Sequence, residues 1–214
     1  SFITNNLYPD WKENIPGCNM VIMAGDRGNR VNKHISVLSF KNMKWYEYYC
    51  SGGNVNEQIQ SNPDFKPLQG TWANFLEFTT RTPNYQVYRV IGMDQYDTMP
   101  ALEFMGIHDI EIKPNMGKKL ESFMIQRWNS QVAIPGMWGI VLKGISEENK
   151  NDYIWISAFD PGDMRDAYFP EKGQGSDAWA QAILPIQNLF DEVYTYMEVI
   201  PGTEGYYTDY MVVR

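Results

Sequence analysis

The sequence predicts an α+β protein made of two tandem copies of one βαββαβ unit, the first of which lacks its opening strand. Two observations predict this class. An offset of 119 positions aligns residues 15–49 with 134–168 without a gap, and an offset of 109 aligns the last strands, so the second copy is ten residues shorter between its third strand and its last. Strand and helix periodicities also follow the same order in both copies. The aligned identities are Ile15-Pro16-Gly17 with Ile134-Pro135-Gly136, Gly25 with Gly144, Asn32 with Asn151, Ile35 with Ile154, Phe40 with Phe159 and Tyr49 with Tyr168.

The second copy contains every element of the unit. Its first strand is predicted over residues 107–113, because His108, Ile110 and Ile112 alternate with polar side chains. A proline at position 185 predicts a kink in its second helix. The remaining elements are a helix over residues 116–131 with Leu120, Phe123, Met124 and Trp128 facing inward, strands over 137–144 and 152–159, a helix starting at Ser176 or Asp177, and a last strand over 193–200.

The first copy is predicted to be incomplete. Ser1-Phe2 aligns with Ser122-Phe123, which lie inside the first helix of the second copy, so the opening strand is missing and the chain is expected to be a fragment. The predicted division is residues 1–104 and 105–214. The predicted elements are strands over 20–24, 34–40 and 85–91, an extension of the strand at 34–40 through the aromatic run 45–49, a helix over 68–78, and an extra strand from the tail 206–213.

Composition narrows the classes of partner. Lys and Arg number 18 against 26 Asp and Glu, and the resulting net charge of −8 disfavours nucleic acid and anionic membranes. No apolar run reaches the length of a membrane span, so a soluble, acidic protein is expected, with the cytoplasm slightly favoured. Two cysteines and two histidines without zinc-type spacing predict no metal.

His108 is the candidate catalytic residue. It shares a strand face with Ile110 and Ile112, so its imidazole is expected in apolar surroundings, where burial changes its pKa and it could act as acid or base. The alternative is a core histidine held by a hydrogen bond to a carbonyl.

Aromatic side chains are the candidate ligand-binding residues. Tyr153 and Trp155 share a strand face and provide an apolar wall with polar tips. Tyr194 and Tyr196 are expected on one face of the last strand, and the remaining candidates are His34 and Trp128. The alternative is that these aromatics only fill the core. The aromatic run 45–49 is also compatible with a contact between copies in a homo-oligomer.

Two fused βαββαβ units resemble the dimeric α+β barrel (ferredoxin-like) superfamily, which includes antibiotic-biosynthesis monooxygenases, EthD-like proteins and the NIPSNAP family. The resemblance is one of topology and covers nearly the whole chain. It implies an α+β barrel within one chain, with helices outside and small apolar molecules bound between sheet and helices. It also implies that a strand histidine beside the helices, here His108, can take part in chemistry.

Three functions follow as expectations. The first is a monooxygenase or isomerase without a cofactor that acts on a hydrophobic or aromatic compound, with His108 as acid or base. The second is a binding or scaffold protein of the same fold without catalysis. The third is a haem-binding variant in which one histidine is an axial ligand.

Overall fold

The computed structural model describes residues 1–25, 33–50, 55–79, 86–93, 104–159, 162–170, 175–200 and 208–212. Contacts divide them into two compact units. The described residues of the first unit are 1–24, those in 34–79 and residue 212. Those of the second unit are residues 25 and 33 and those in 86–211. Antiparallel strands and helices are present in both units, which confirms the α+β class.

The first unit contains a two-stranded antiparallel sheet and several helices. Its strands are β1 (Cys18–Gly25) and β2 (His34–Phe40), with Cys18 opposite Phe40. Both agree with the strands predicted at 20–24 and 34–40. The helices are a π-helical turn (Ile3–Leu7), α1 (Tyr8–Asn14), α2 (Met43–Cys50), α3 (Val55–Ser61), a 3₁₀ turn (Pro63–Phe65) and α4 (Lys66–Glu77).

The second unit is built on a larger antiparallel sheet. Within it the strands lie in the order β3, β5, β6, β4, and both β7 and β8 pair with the outer edge of β4. The strand β8 confirms that the tail adds a strand. The bounds are β3 (Tyr88–Met93), β4 (Phe104–Ile112), β5 (Met137–Gly144), β6 (Tyr153–Phe159), β7 (Met197–Val199) and β8 (Thr208–Val212).

The two helices predicted for the second unit are observed, and a further helix over residues 162–168 was not predicted. The Ser176 hydroxyl accepts a hydrogen bond from the Trp179 amide and so caps the later helix. At Pro185 that helix narrows into a 3₁₀ turn. The bounds are α5 (Gly117–Phe123), a π-helical turn (Met124–Trp128), α6 (Asn129–Gln131), α7 (Gly162–Tyr168), α8 (Asp177–Ile183), a 3₁₀ turn (Leu184–Ile186) and α9 (Gln187–Tyr196).

One face of the larger sheet packs against these helices. The inward stripe predicted for the first helix is confirmed, because Leu120, Phe123, Met124 and Trp128 are all buried in one cluster with strand residues such as Ile110. That cluster is the hydrophobic core of the second unit.

The aromatic run at 45–49 is helical, and the predicted strand extension is wrong. Residues 43–50 form α2, which begins where the Asn42 side chain accepts a hydrogen bond from the Trp45 amide. Trp45 and Tyr49, one helical turn apart, stack with ring centroids 5.7 Å apart and planes 12° apart. Aromatic side chains four residues apart pack on one face of this helix, so a run of aromatic residues does not by itself indicate a strand.

The predicted closed barrel is not seen among the described strands. The strand predicted over 85–91 to close the first copy is observed as β3 (Tyr88–Met93), which pairs instead with β5 in the second unit, with Tyr88 opposite Gly144. The compact units therefore separate near residue 86, ahead of the predicted repeat boundary at 104/105, because β3 takes its antiparallel partner from the outer edge of β5.

Several local features recur at the offset of 119. Strands β1 and β5, and strands β2 and β6, begin at positions that differ by this offset. The Tyr49 hydroxyl donates to the Pro16 carbonyl at 2.8 Å, and the Tyr168 hydroxyl donates to the Pro135 carbonyl at 2.9 Å. The following glycines, Gly17 and Gly136, have φ angles of 78° and 67°. Each unit thus uses one tyrosine to hold the turn before a strand.

Replacing either tyrosine with phenylalanine is expected to lower the free energy of unfolding by about 1 kcal/mol, because a partly buried carbonyl loses its donor. Urea titration of Tyr49→Phe and Tyr168→Phe measures this. Tyr48→Phe is the matched control, since the Tyr48 hydroxyl bonds to Asp64 on the surface. A loss in one unit only would contradict an equivalent role for the two bonds.

Candidate functional site

The register of β4 and β6 brings several candidate residues onto one face of the larger sheet. His108 lies opposite Trp155, and Ile110 lies opposite Tyr153. Partners in an antiparallel pair project to the same face, and this is the face that the helices cover, since Ile110, Tyr153 and Trp155 belong to the core cluster.

His108 is enclosed, with 8% of its surface exposed. Burial lowers the pKa of the imidazole from 6.5 to about 4, because the charged form loses its hydration. The side chain is therefore neutral at physiological pH. Its catalytic role stays a prediction.

Trp128 and Trp155 lie inside the core. Their rings meet edge to face, with centroids 4.9 Å apart, and Phe190 packs edge to face against Trp128 at 5.2 Å. Trp128 is 1% exposed. This packing favours the alternative that both tryptophans stabilise the fold.

The positions predicted on the last strand differ in the structure. Tyr194 and Tyr196 lie in the final turn of α9, because the apolar helical stripe of Leu189, Phe190 and Val193 continues to this point. Tyr194 is half exposed, and the Tyr196 hydroxyl donates to Glu192 at 3.0 Å. The predicted shared strand face is therefore wrong.

His34 belongs to the first compact unit, whereas the other candidate residues belong to the second. It is the exposed first residue of β2, opposite Ala24. Among the described residues, no group of three His, Cys, Asp or Glu side chains is arranged to hold a metal ion.

A cavity of about 340 Å³ opens to solvent where the first helix of the second unit meets the sheet. Its volume falls within the range of small-molecule sites. We call it the α5 cleft; its lining residues are Asn115, Gly117, Lys118, Glu121, Lys143 and Tyr153. Another gap, in the core of the first unit, has no room for a water molecule, and neither cavity is lined by His108.

Glu121 is the centre of a hydrogen-bond network in the α5 cleft. Its Oε1 accepts from Lys143 Nζ at 2.6 Å and from the Tyr153 hydroxyl at 3.2 Å. Its Oε2 accepts from Arg89 Nη2 at 3.1 Å, which joins β3 to the helix. Lys143 Nζ also lies 5.5 Å from the centroid of the Tyr153 ring.

The network fixes the charge of its members. Burial alone would raise the Glu121 pKa, but bonds from Lys143 and Tyr153 and the charges of Lys143 and Arg89 lower it, so the carboxylate stays ionised. The bond to Glu121 raises the Lys143 pKa. Burial, together with the charge of Glu121, raises the Tyr153 pKa although Lys143 opposes this. The cleft therefore presents an ammonium group beside a neutral phenol.

Sequence reasoning identified Tyr153 and missed the charged residues around it. A signal for Lys143 was present in the predicted hairpin, because strands over 137–144 and 152–159 joined by a short turn put Lys143 opposite Tyr153, as observed. Glu121 and Lys118 come from the helix, and nothing in the helical period indicates which of its polar residues border a cavity.

The fold and the cleft define an α+β protein with a helix-covered antiparallel sheet and a cavity of small-molecule size. In its fold the chain is similar to a putative monooxygenase from Lactobacillus acidophilus NCFM, with a TM-score of 0.54, 10% identity, and coverage of 97% of this chain and 81% of that one. An anthrone oxidase-like protein gives a TM-score of 0.48 and 14% identity, with 99% and 84% coverage.

No protein-family model matches the chain, and no curated protein matches it. Within the described residues, every helix is too short or too polar to cross a membrane. The comparisons therefore support a shared fold with the Lactobacillus protein, and a shared fold does not imply a shared function.

Proposed function

We propose that this chain binds a small hydrophobic or aromatic molecule in the α5 cleft and oxidises it without a resident cofactor. The observation that carries the proposal is the open cavity beside Tyr153, at the border between helices and sheet. Its setting is a fold similar to that of the Lactobacillus protein described as a putative monooxygenase. The superfamily resembled by the sequence also binds its ligands between sheet and helices.

The proposal includes a tandem duplication. Matching strand positions, the paired tyrosine-to-proline bonds of Tyr49 and Tyr168, and the left-handed glycines after them support an origin of both halves from one unit. On this view the two copies diverged, since the cleft described here belongs to the second unit.

The proposed oxidation requires a proton acceptor and a group that stabilises negative charge on the substrate. In such a reaction the substrate loses a proton, and O₂ oxidises the resulting anion. A CH₂ group that becomes a carbonyl yields water as the second product, and a hydroquinone that becomes a quinone yields hydrogen peroxide. The ammonium of Lys143 can stabilise the anion. His108 is neutral, as an acceptor must be, but a pKa of about 4 makes it a weak base.

The low basicity of His108 favours the second candidate function, a binding protein of the same fold without catalysis. His108 lies opposite Trp155 among core side chains and has the surroundings of a structural residue. Binding without turnover is the behaviour that separates this candidate from the enzyme.

Filling the cleft tests both candidates. A Cβ at Gly117 would lie 3.1 Å from the Tyr153 hydroxyl, so Gly117→Leu is expected to occupy the cavity and to weaken ligand binding at least tenfold. The probes are 2-naphthol for binding, followed by tryptophan fluorescence, and 1,4-dihydroxynaphthalene for O₂ uptake above its autoxidation. Lys119→Leu, an exposed change on the same helix, is the matched control.

The enzyme is supported if the protein catalyses O₂ uptake and if Gly117→Leu abolishes this activity while Lys119→Leu preserves it. The binding protein is supported if Gly117→Leu weakens ligand binding, Lys119→Leu does not, and no O₂ uptake is catalysed. If Gly117→Leu and wild type bind 2-naphthol equally, the α5 cleft is not the site.

A further inference from the structure

The α5 cleft carries more positive than negative charge, although the whole chain has a net charge of −8. Lys118 and Lys143 line it, and Glu121 is the carboxylate among its described lining residues. Glu121 also pairs with Arg89 from the neighbouring strand. Three cations and one anion therefore lie in or beside the cleft.

The charge of Glu121 is already compensated. Lys143 lies 2.6 Å from one carboxylate oxygen and Arg89 lies 3.1 Å from the other. The Tyr153 hydroxyl uses a further lone pair of the same carboxylate. Glu121 thus has little capacity left to attract a cationic ligand or to accept a proton from a substrate.

Lys118 has no such partner in the region that the structure describes. No described carboxylate lies within ion-pair distance of it, and its side chain is exposed at the mouth of the cavity. An ammonium group that borders a cavity and lacks a counter-ion attracts anions.

We infer that the α5 cleft binds a small organic anion, a carboxylate or a phenolate, with Lys118 and Lys143 as its charge-binding residues. The inference rests on the proposed function and narrows its ligand from aromatic compounds in general to acidic ones. Lys143 lies above the ring of Tyr153, so the aromatic ring of an anion bound at Lys143 would have an aromatic side chain beside it. The same lysines would stabilise the anion that a substrate becomes on losing its proton.

The test compares 2-naphthoate with 2-naphthamide, two probes of nearly the same shape that differ in charge. Calorimetric titration of the full chain is expected to give a Kd for the acid at least tenfold below that for the amide. Lys118→Gln is expected to raise the Kd for the acid about tenfold, which corresponds to about 1.4 kcal/mol, and to leave the amide unchanged. Lys119→Gln, the exposed neighbour outside the lining, is expected to change neither value.

Equal Kd values for the two probes, with no effect of Lys118→Gln, would overturn the inference and leave the small-molecule site in place. An equal loss in Lys118→Gln and Lys119→Gln would overturn it too, since the attraction would then come from general surface charge. Binding of neither probe at millimolar concentration would contradict the proposed site itself. Lys118 is exposed, so its substitution is not expected to alter folding, and circular dichroism checks this.

Discussion

Trp128→Ala is expected to lower the free energy of unfolding of the second unit by about 3–5 kcal/mol, the cost of removing a large aromatic side chain from a packed core. Trp128 is almost fully buried and meets Trp155 and Phe190 edge to face. Urea unfolding followed by circular dichroism measures the loss. The matched control is Ile125→Ala, an apolar truncation on the same helix at a side chain that is 61% exposed, where less than about 1 kcal/mol is expected.

The result decides between the two roles considered for this tryptophan. A large loss of stability supports the core role. If Trp128→Ala were as stable as the control and bound 2-naphthol more weakly, Trp128 would be a ligand-binding residue, as the sequence predicts, and the packing argument would be wrong.

The second large effect concerns pH. The His108 pKa is lowered from 6.5 to about 4 in the folded protein, so between these values the unfolded chain binds a proton that the folded chain does not. The contribution of His108 to stability is complete above pH 6.5 and is lost as the pH falls toward 4. At about 1.4 kcal/mol for each unit of pKa, the loss is about 3 kcal/mol.

The difference in the free energy of unfolding between wild type and His108→Gln, measured as a function of pH, separates the contribution of His108 from the titration of carboxylates. Wild type is expected to lose about 3 kcal/mol more than His108→Gln between pH 7 and pH 4. His34→Gln, a change at the exposed histidine of the first unit, is expected to follow wild type. Parallel curves for wild type and His108→Gln would mean that the folded protein accepts a proton on His108 at ordinary pH, which would restore the case for acid–base chemistry there.

Much of the fold could be predicted, because local periodicity and capping decide it. Strand β2 has the predicted bounds, β5 does as well, and the later helix begins after the cap at Ser176 and narrows at Pro185. These features depend on neighbours a few positions apart, which a single sequence displays.

The errors arose where the local signal was ambiguous or where the partner was distant. The aromatic run 45–49 and the stretch around Tyr194 contain side chains common in strands, but the helical stripes ending at Cys50 and Val193 determine their structure. The α5 cleft depends on contacts between a helix and two strands, and Arg89 joins it from β3. No periodicity in the sequence reports such contacts.

The pairing of β3 with β5 crosses the boundary between the two aligned halves of the sequence. Residues 88–93 belong by alignment to the first half, yet their hydrogen bonds cover the outer edge of the second unit's sheet and carry Arg89 to Glu121. A fragment cut at the repeat boundary would leave β5 with a bare row of amides and carbonyls, which is a template for aggregation. Residues 105–214 alone would therefore lack the strand that covers this edge of β5.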